Sequence, residues 1–244
     1  MLIDGRVVLV TGGAKRIGRS VALALAERGA HVVISYRTSS AEASGTVKTL
    51  RAFGTKPLAI RADVTREADI TRMMATIRRT YGRLDVLINS AAIFERTPYA
   101  TLTSQDWRRA IDTNLTGPFL CALHASRLMQ RRGEGKIINF ADWAGIRPYR
   151  DYLPYCVAKG GIITLTKALA KELAPGIQVI AIAPGPILPP PEMSAAQRKQ
   201  VASKALLKRW GTPQDLASTI RFLIEGTDFI TGSVVYVDGG QLIA

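Results

Sequence analysis

Seven short runs of β-branched and other apolar residues recur along the 244-residue chain, and helix-length segments separate them. The runs are RVVLVTG, HVVISYR, KPLAIRAD, LDVLINSA, KIINFAD, IQVIAIAP and SVVYVDG, each apolar enough to be buried on both faces. Strands of that kind alternating with helices belong in a parallel sheet covered on both sides, so the pattern predicts a doubly wound α/β fold. Between the first two runs, Ile17, Val21 and Leu25 recur at four-residue spacing, and Gly29 stands where a helix cap belongs. No repeat, low-complexity tract or linker divides the sequence. One domain over residues 1–244 is expected, with a substrate loop at about 184–205 that opens on the proline-rich GPILPPP.

A formal charge of +14 raises nucleic-acid binding as an option. The distribution argues against it, because Lys and Arg never run longer than two together, as at Arg78-Arg79, Arg131-Arg132 and Lys208-Arg209, and they spread over every expected helix. The charge reads instead as a solvated basic surface that favours anionic small molecules. Only two cysteines, Cys121 and Cys156, and two histidines, His31 and His124, occur, without paired spacing. No metal site is therefore expected, and a reduced cytoplasmic setting is. No apolar stretch reaches the roughly 20 residues of a membrane-spanning helix.

The turn after the first strand reads TGGAKRIG, from Thr11 to Gly18. Backbone amides at a strand end facing a helix N-terminus form a site for the pyrophosphate of a dinucleotide, and glycines let it approach closely. The end of the second strand selects the dinucleotide, since an acid there would hold a ribose 2′-hydroxyl. That acid is missing. Tyr36, Arg37, Thr38, Ser39 and Ser40 stand in its place, a guanidinium and hydroxyls suited to a 2′-phosphate, so NADPH is the expected cofactor.

Further motifs follow in order: Asp63-Val64 after the third strand, Asn89-Ser90-Ala91-Ala92 after the fourth, Asn114 in a helix, Tyr155 and Lys159 as YxxxK, and Ala183-Pro184-Gly185. The set resembles the short-chain dehydrogenase/reductase family. The resemblance implies a seven-stranded Rossmann fold and a homo-tetramer. It implies that Gly12, Lys15, Arg16, Ile17 and Gly18 line the cofactor phosphates, Asp63 and Val64 the adenine, and Asn89 and Ala91 the adjoining ribose. Tyr36, Arg37, Thr38, Ser39, Pro184, Gly185 and Ile187 complete the cofactor set. It also implies that Tyr155 is the acid/base, that Lys159 binds the nicotinamide ribose, and that Asn114 anchors a proton-relaying water. Residues four apart on a helix share a face, so Lys159 can act on Tyr155 and lower its pKa.

Three departures narrow the resemblance. Arg16 replaces the middle glycine of the usual TGxxxGxG, Phe94 follows the fourth strand, and Asp142 ends the run IINFAD where the family carries a catalytic serine. With SYRTSSAEA and APGPILPP these residues resemble the pteridine reductases, which implies a pterin-like substrate contacted by Arg16, Phe94, Asp142, Tyr155 and Leu188. An ionised carboxylate can only accept a hydrogen bond, so Asp142 beside Tyr155 would favour the protonated phenol and oppose Lys159. The alternative for Asp142 is an ion pair with Arg147 or Arg150. The expected reaction is NADPH-dependent reduction of a dihydropterin C=N bond. The alternatives are a carbonyl reductase acting on a ketone such as a 3-oxoacyl group, and a non-catalytic NADPH-binding protein.

Overall fold

The computed structural model describes residues 1–189 and 193–244, so Pro190 and Pro191 of the proline-rich loop lie outside the described residues. All seven runs are strands of one parallel sheet: β1 (Val7–Val10), β2 (His31–Tyr36), β3 (Leu58–Arg61), β4 (Val86–Asn89), β5 (Gly135–Phe140), β6 (Ile177–Pro184) and β7 (Val234–Val237). Their order is β3-β2-β1-β4-β5-β6-β7. Successive residues of each central strand face opposite layers, and both layers are buried. Val8 and Val10 pack with α1 (Arg16–Ala26), α2 (Ser40–Arg51) and α8 (Pro213–Glu225), while Val7 and Leu9 pack toward α3 (Glu67–Tyr81) and α5 (Gly117–Gln130). This two-sided burial is why the strands read as continuous apolar runs.

The order of strands reverses between β1 and β4, and at such a point the loops leaving the two strands diverge and open a crevice at their C-terminal ends. The turn after β1 and the loop after β4 meet there. A Cβ on Gly12 would come within 2.9 Å of the Ala91 Cα, and Gly12 has a φ of 65° that other residues resist. On the other side of the crevice, α4 (Ser104–Ile111) runs through a π-turn, Asp112–Thr116, into α5. The 21-residue α6 (Leu153–Leu173) packs across β6 and carries Tyr155 and Lys159 to the ends of β5 and β6. Helix α7 (Ala195–Lys204) buries none of its residues and lies over the crevice mouth through Val201 and Lys204.

Candidate active site

Two clefts share a wall at the C-terminal edge of the sheet. The first, of about 470 Å³, follows the turn after β1. It is lined by Gly12, Lys15, Arg16, Ile17 and Gly18 of that turn, by Tyr36, Arg37, Thr38 and Ser39 after β2, by Asp63 and Val64 after β3, and by Ala91 after β4. The start of α1 opens on this groove with no side chain capping it, which leaves its first amides for a ligand anion. A Cβ on Gly18 would lie 2.5 Å from the Gly12 carbonyl oxygen, so this turn cannot admit a larger residue there. Arg16 adopts a φ of 52°, the left-handed region that explains the family's glycine at this position and costs a non-glycine residue about 1–2 kcal/mol. Arg37 is exposed, makes no ion pair among the described residues, and has its carbonyl held by Arg61 Nε at 3.3 Å. The groove therefore fits the phosphates of a dinucleotide: a glycine cradle, a bare helix start and several uncommitted cations.

The second cleft, of about 1030 Å³, adjoins the first through Arg16, Ile17, Ser90, Ala92 and Phe94. Its floor holds Asp142, Tyr155 and Lys159, and Pro184, Gly185, Ile187 and Leu188 form part of its wall. Asp142 leaves β5 as the cap of a short turn, its Oδ1 accepting from the Ala144 amide at 2.8 Å. The Tyr155 hydroxyl donates to Asp142 Oδ2 at 2.7 Å. Neither Arg147 nor Arg150 pairs with Asp142, so that alternative falls away. Burial raises the Asp142 pKa above the ordinary carboxylate value, although the Ala144 amide, the Tyr155 hydroxyl and Lys159 oppose the shift. Burial and the Asp142 carboxylate raise Tyr155 well above the ordinary tyrosine value.

Lys159 does not set the outcome in the way the four-residue spacing suggests. Its Nζ lies 5.6 Å from the Tyr155 ring centroid and donates to the Phe140 carbonyl at 2.6 Å. Burial lowers its own pKa to about 8, and the expected lowering of Tyr155 is outweighed by desolvation and Asp142. A second buried lysine, Lys136, is structural. Its ammonium donates to the carbonyls of Leu223, Ile224 and Thr227 and pairs with Asp228, closing the end of α8.

Two expected site residues do not reach either cleft. Asn89 turns inward, its amide donating to Pro118 O at 3.1 Å and Asn139 Oδ1 at 2.9 Å, because the end of β4 is packed between β1 and β5. Asn114 spends both of its N–H donors on the Ile93 and Ala110 carbonyls and accepts from the Ile93 amide. The Asn114 side chain therefore fastens the loop after β4 onto the π-turn and has no N–H left for a relaying water.

Phe94 is where the sequence suggests, at the junction of the clefts and half exposed at 52%. It stacks on Tyr152 at 4.3 Å with an interplanar angle of 7°, and meets Tyr155 edge-on at 4.8 Å. Tyr149 and Trp143 extend this aromatic wall, packing edge to face at 5.0 Å. Neither of these, nor Tyr152, was singled out from sequence. The signal was present as aromatics at 149, 152 and 155, one turn apart across the start of α6, but proximity to Phe94 needs the fold.

Comparison with known proteins decides the family. The model described as Enoyl-(Acyl carrier protein) reductase, a short-chain dehydrogenase model, matches residues 12–241. The chain belongs to the short-chain dehydrogenase/reductase family. A 3-oxoacyl-[acyl-carrier-protein] reductase of Synechocystis sp. is 37% identical over 246 residues, covering 99% of this chain and 98% of the relative. One of the same name from Staphylococcus aureus is 37% identical, covering 96% of each. Among solved structures, a putative gluconate dehydrogenase from Agrobacterium tumefaciens superposes with a TM-score of 0.94 at 37% identity, covering 100% of this chain and 99% of that one. A gluconate 5-dehydrogenase from Burkholderia cenocepacia in complex with NADP and tartrate superposes with a TM-score of 0.92 at 31% identity, covering 99% and 96%. The chain is a short-chain oxidoreductase. None of these relatives carries the pteridine reductase name that the resemblance of AKRIG, Phe94 and IINFAD led to.

Proposed function

We propose that this protein is an NADPH-dependent reductase in which Tyr155, backed by Asp142, gives the proton to the heteroatom of a C=O or C=N bond. The observation that carries this is the 2.7 Å hydrogen bond from the Tyr155 hydroxyl to Asp142. Hydride to the carbon of that bond is the chemistry that bound NADPH supplies. A buried phenol next to a carboxylate stays protonated at neutral pH and so acts as an acid on arrival of the substrate. The Asp142 carboxylate accepts the Tyr155 hydroxyl, and the two groups titrate as a pair. Lys159, pointing from the same face of α6, is assigned to the nicotinamide ribose, and Asn114 to holding the loop that carries Phe94.

NADPH is preferred over NADH because Arg37, Thr38 and Ser39 line the groove where an acid would otherwise sit. The complex of the Burkholderia cenocepacia neighbour with NADP supports the same choice.

For the substrate we rank a 3-oxoacyl thioester first, on the names of relatives that match nearly the whole chain at 37% identity. A dihydropterin is the second reading, and a specific observation favours it: a flat aromatic wall, Phe94 with Tyr152 and Tyr155, beside an acid suited to protonating nitrogen. Half-exposed apolar side chains on α5 and α6, Phe119, Leu153 and Val157, support assembly into the proposed cytoplasmic homo-tetramer. The test is NADPH consumption with acetoacetyl thioesters, dihydrobiopterin and dihydrofolate, with Tyr155→Phe as control. Turnover of one class that Tyr155→Phe abolishes supports the proposal, and turnover that survives Tyr155→Phe overturns it.

A further inference from the structure

The large cleft has a reactive floor and a cationic mouth. Among the side chains of its described lining residues the only acid is Asp142, which is occupied with Tyr155 and Ala144 at the floor. Toward the mouth stand Arg147 and Arg150, on the loop between β5 and α6, and Lys204 at the end of α7. The acid nearest to Arg150 in sequence, Asp151, is taken by Arg96 at 2.7 Å. Arg150 and Lys204 form no ion pair or side-chain hydrogen bond among the described residues, and Arg147 gives one N–H to the Ala244 oxygen at 2.8 Å. A second observation points to a ligand. Gln241 lines the same cleft, only 7% exposed, and its Oε1 is buried without a partner among the described residues. Buried polar atoms are nearly always satisfied, and an N–H or O–H donor on the uncharged body of a ligand would satisfy this one.

The geometry points to a substrate that carries a carboxylate or phosphate at the end away from its reducible bond, held by Arg147, Arg150 and Lys204, and a hydrogen-bond donor on its body that meets Gln241. This rests on the reductase reading of the same cleft and adds the charge of the substrate to it. The aromatic wall takes the uncharged body, Tyr155 meets the double bond, and the cations fix which end enters first. A 3-oxoacyl phosphopantetheine offers a phosphate and a dihydrofolate offers carboxylates, so the chemistry is shared by both substrate readings.

Binding tests it without relying on turnover. The protein saturated with NADP⁺ is titrated, by tryptophan fluorescence, with two pairs of compounds that differ only in charge: S-acetoacetyl phosphopantetheine against S-acetoacetyl pantetheine, and dihydrofolate against its dimethyl ester. The charged member of at least one pair should bind about tenfold more tightly, the value of one charge-assisted contact. Whichever pair shows the preference identifies the anion. The preference should collapse in the Arg150→Gln, Lys204→Gln double variant and persist in Arg150→Lys. Equal affinities within both pairs, or a preference undiminished in the double variant, would overturn the inference. Failure of turnover with intact charge preference would instead count against the reductase reading.

Discussion

Replacing Asp142 by Asn asks one oxygen to do the work of two. In the native site Oδ1 accepts from the Ala144 amide at 2.8 Å and Oδ2 from the Tyr155 hydroxyl at 2.7 Å. Asparagine can keep the backbone bond only by turning its NH₂ toward Tyr155, and a donor there favours the phenolate that the carboxylate opposed. A charge-assisted hydrogen bond of about 1.5–3 kcal/mol, at 1.36 kcal/mol per pKa unit, converts to a fall of roughly one to two units in the Tyr155 pKa. The assay is kcat for NADPH-dependent reduction from roughly pH 6 to 11, beside kcat for NADP⁺-dependent oxidation of the product. Reduction requires the phenol, so its alkaline limb should move down by that shift. Oxidation requires the phenolate and should speed up at neutral pH. Asp142→Ser, which restores a hydroxyl donor, should move activity further toward ketone and alcohol chemistry. Superimposable pH profiles for the native protein and Asp142→Asn would refute the reasoning.

Four other outcomes are expected. Arg37→Asp should invert the preference between NADPH and NADH by tenfold or more in Kd, since each lost charge-assisted contact is worth about 1.5–3 kcal/mol; unchanged Kd values would remove Arg37 from the 2′-phosphate site. Gly18→Ala, whose methyl would meet the Gly12 carbonyl at 2.5 Å, should destabilise the turn by about 1–3 kcal/mol and weaken NADPH binding, read by melting temperature and by titration. Lys159→Met should abolish activity yet raise the stability of the cofactor-free protein at pH 7, because a pKa lowered from 10.5 to about 8 corresponds to about 3 kcal/mol. Between those pH values the unfolded native chain binds the proton that the folded one has lost, so native stability rises with pH and the melting-temperature gap should close toward pH 10.5. Phe94→Ala should raise the KM for dihydropterin several-fold, from a stacking loss of about 0.5–1.5 kcal/mol, and alter the thioester KM little; equal effects on both would mark Phe94 as a packing residue.

The sheet was legible because a parallel strand buried on both faces leaves an uninterrupted apolar run, as β1, β2, β4, β5 and β6 do; the edge strands β3 and β7 keep apolar runs although they are only partly buried, contrary to the expectation of burial on both faces. The turn from Gly12 to Gly18 was legible for a related reason: only glycine tolerates the contacts with Ala91 and with the Gly12 carbonyl, so its spacing is written into the residues. Side-chain direction was not legible. Asn89 sits one residue from the groove and faces the packed interior instead, and Asn114 bonds to backbone that the fold brings from Ile93 and Ala110. Electrostatic balance was legible only in part. The opposition between Asp142 and Lys159 could be read from the motifs, but its result depends on how deeply each group is buried. The YxxxK motif marks Lys159, but only the fold shows that Lys136 is equally buried and closes a helix.

The central claim is that Tyr155 is a protonated acid at neutral pH, held so by burial and by Asp142. Carbon-13 labelling of the tyrosine ζ carbons, with Tyr155→Phe to assign the resonance, reads its ionisation directly in the protein alone and in its NADP⁺ complex. The Tyr155 resonance should stay at the phenol position up to about pH 10, the ordinary tyrosine value, and should titrate lower in Asp142→Asn. A Tyr155 resonance that moves to the phenolate position below roughly pH 8 would show that Lys159 wins the balance, and would contradict the proton-donor role assigned to the pair.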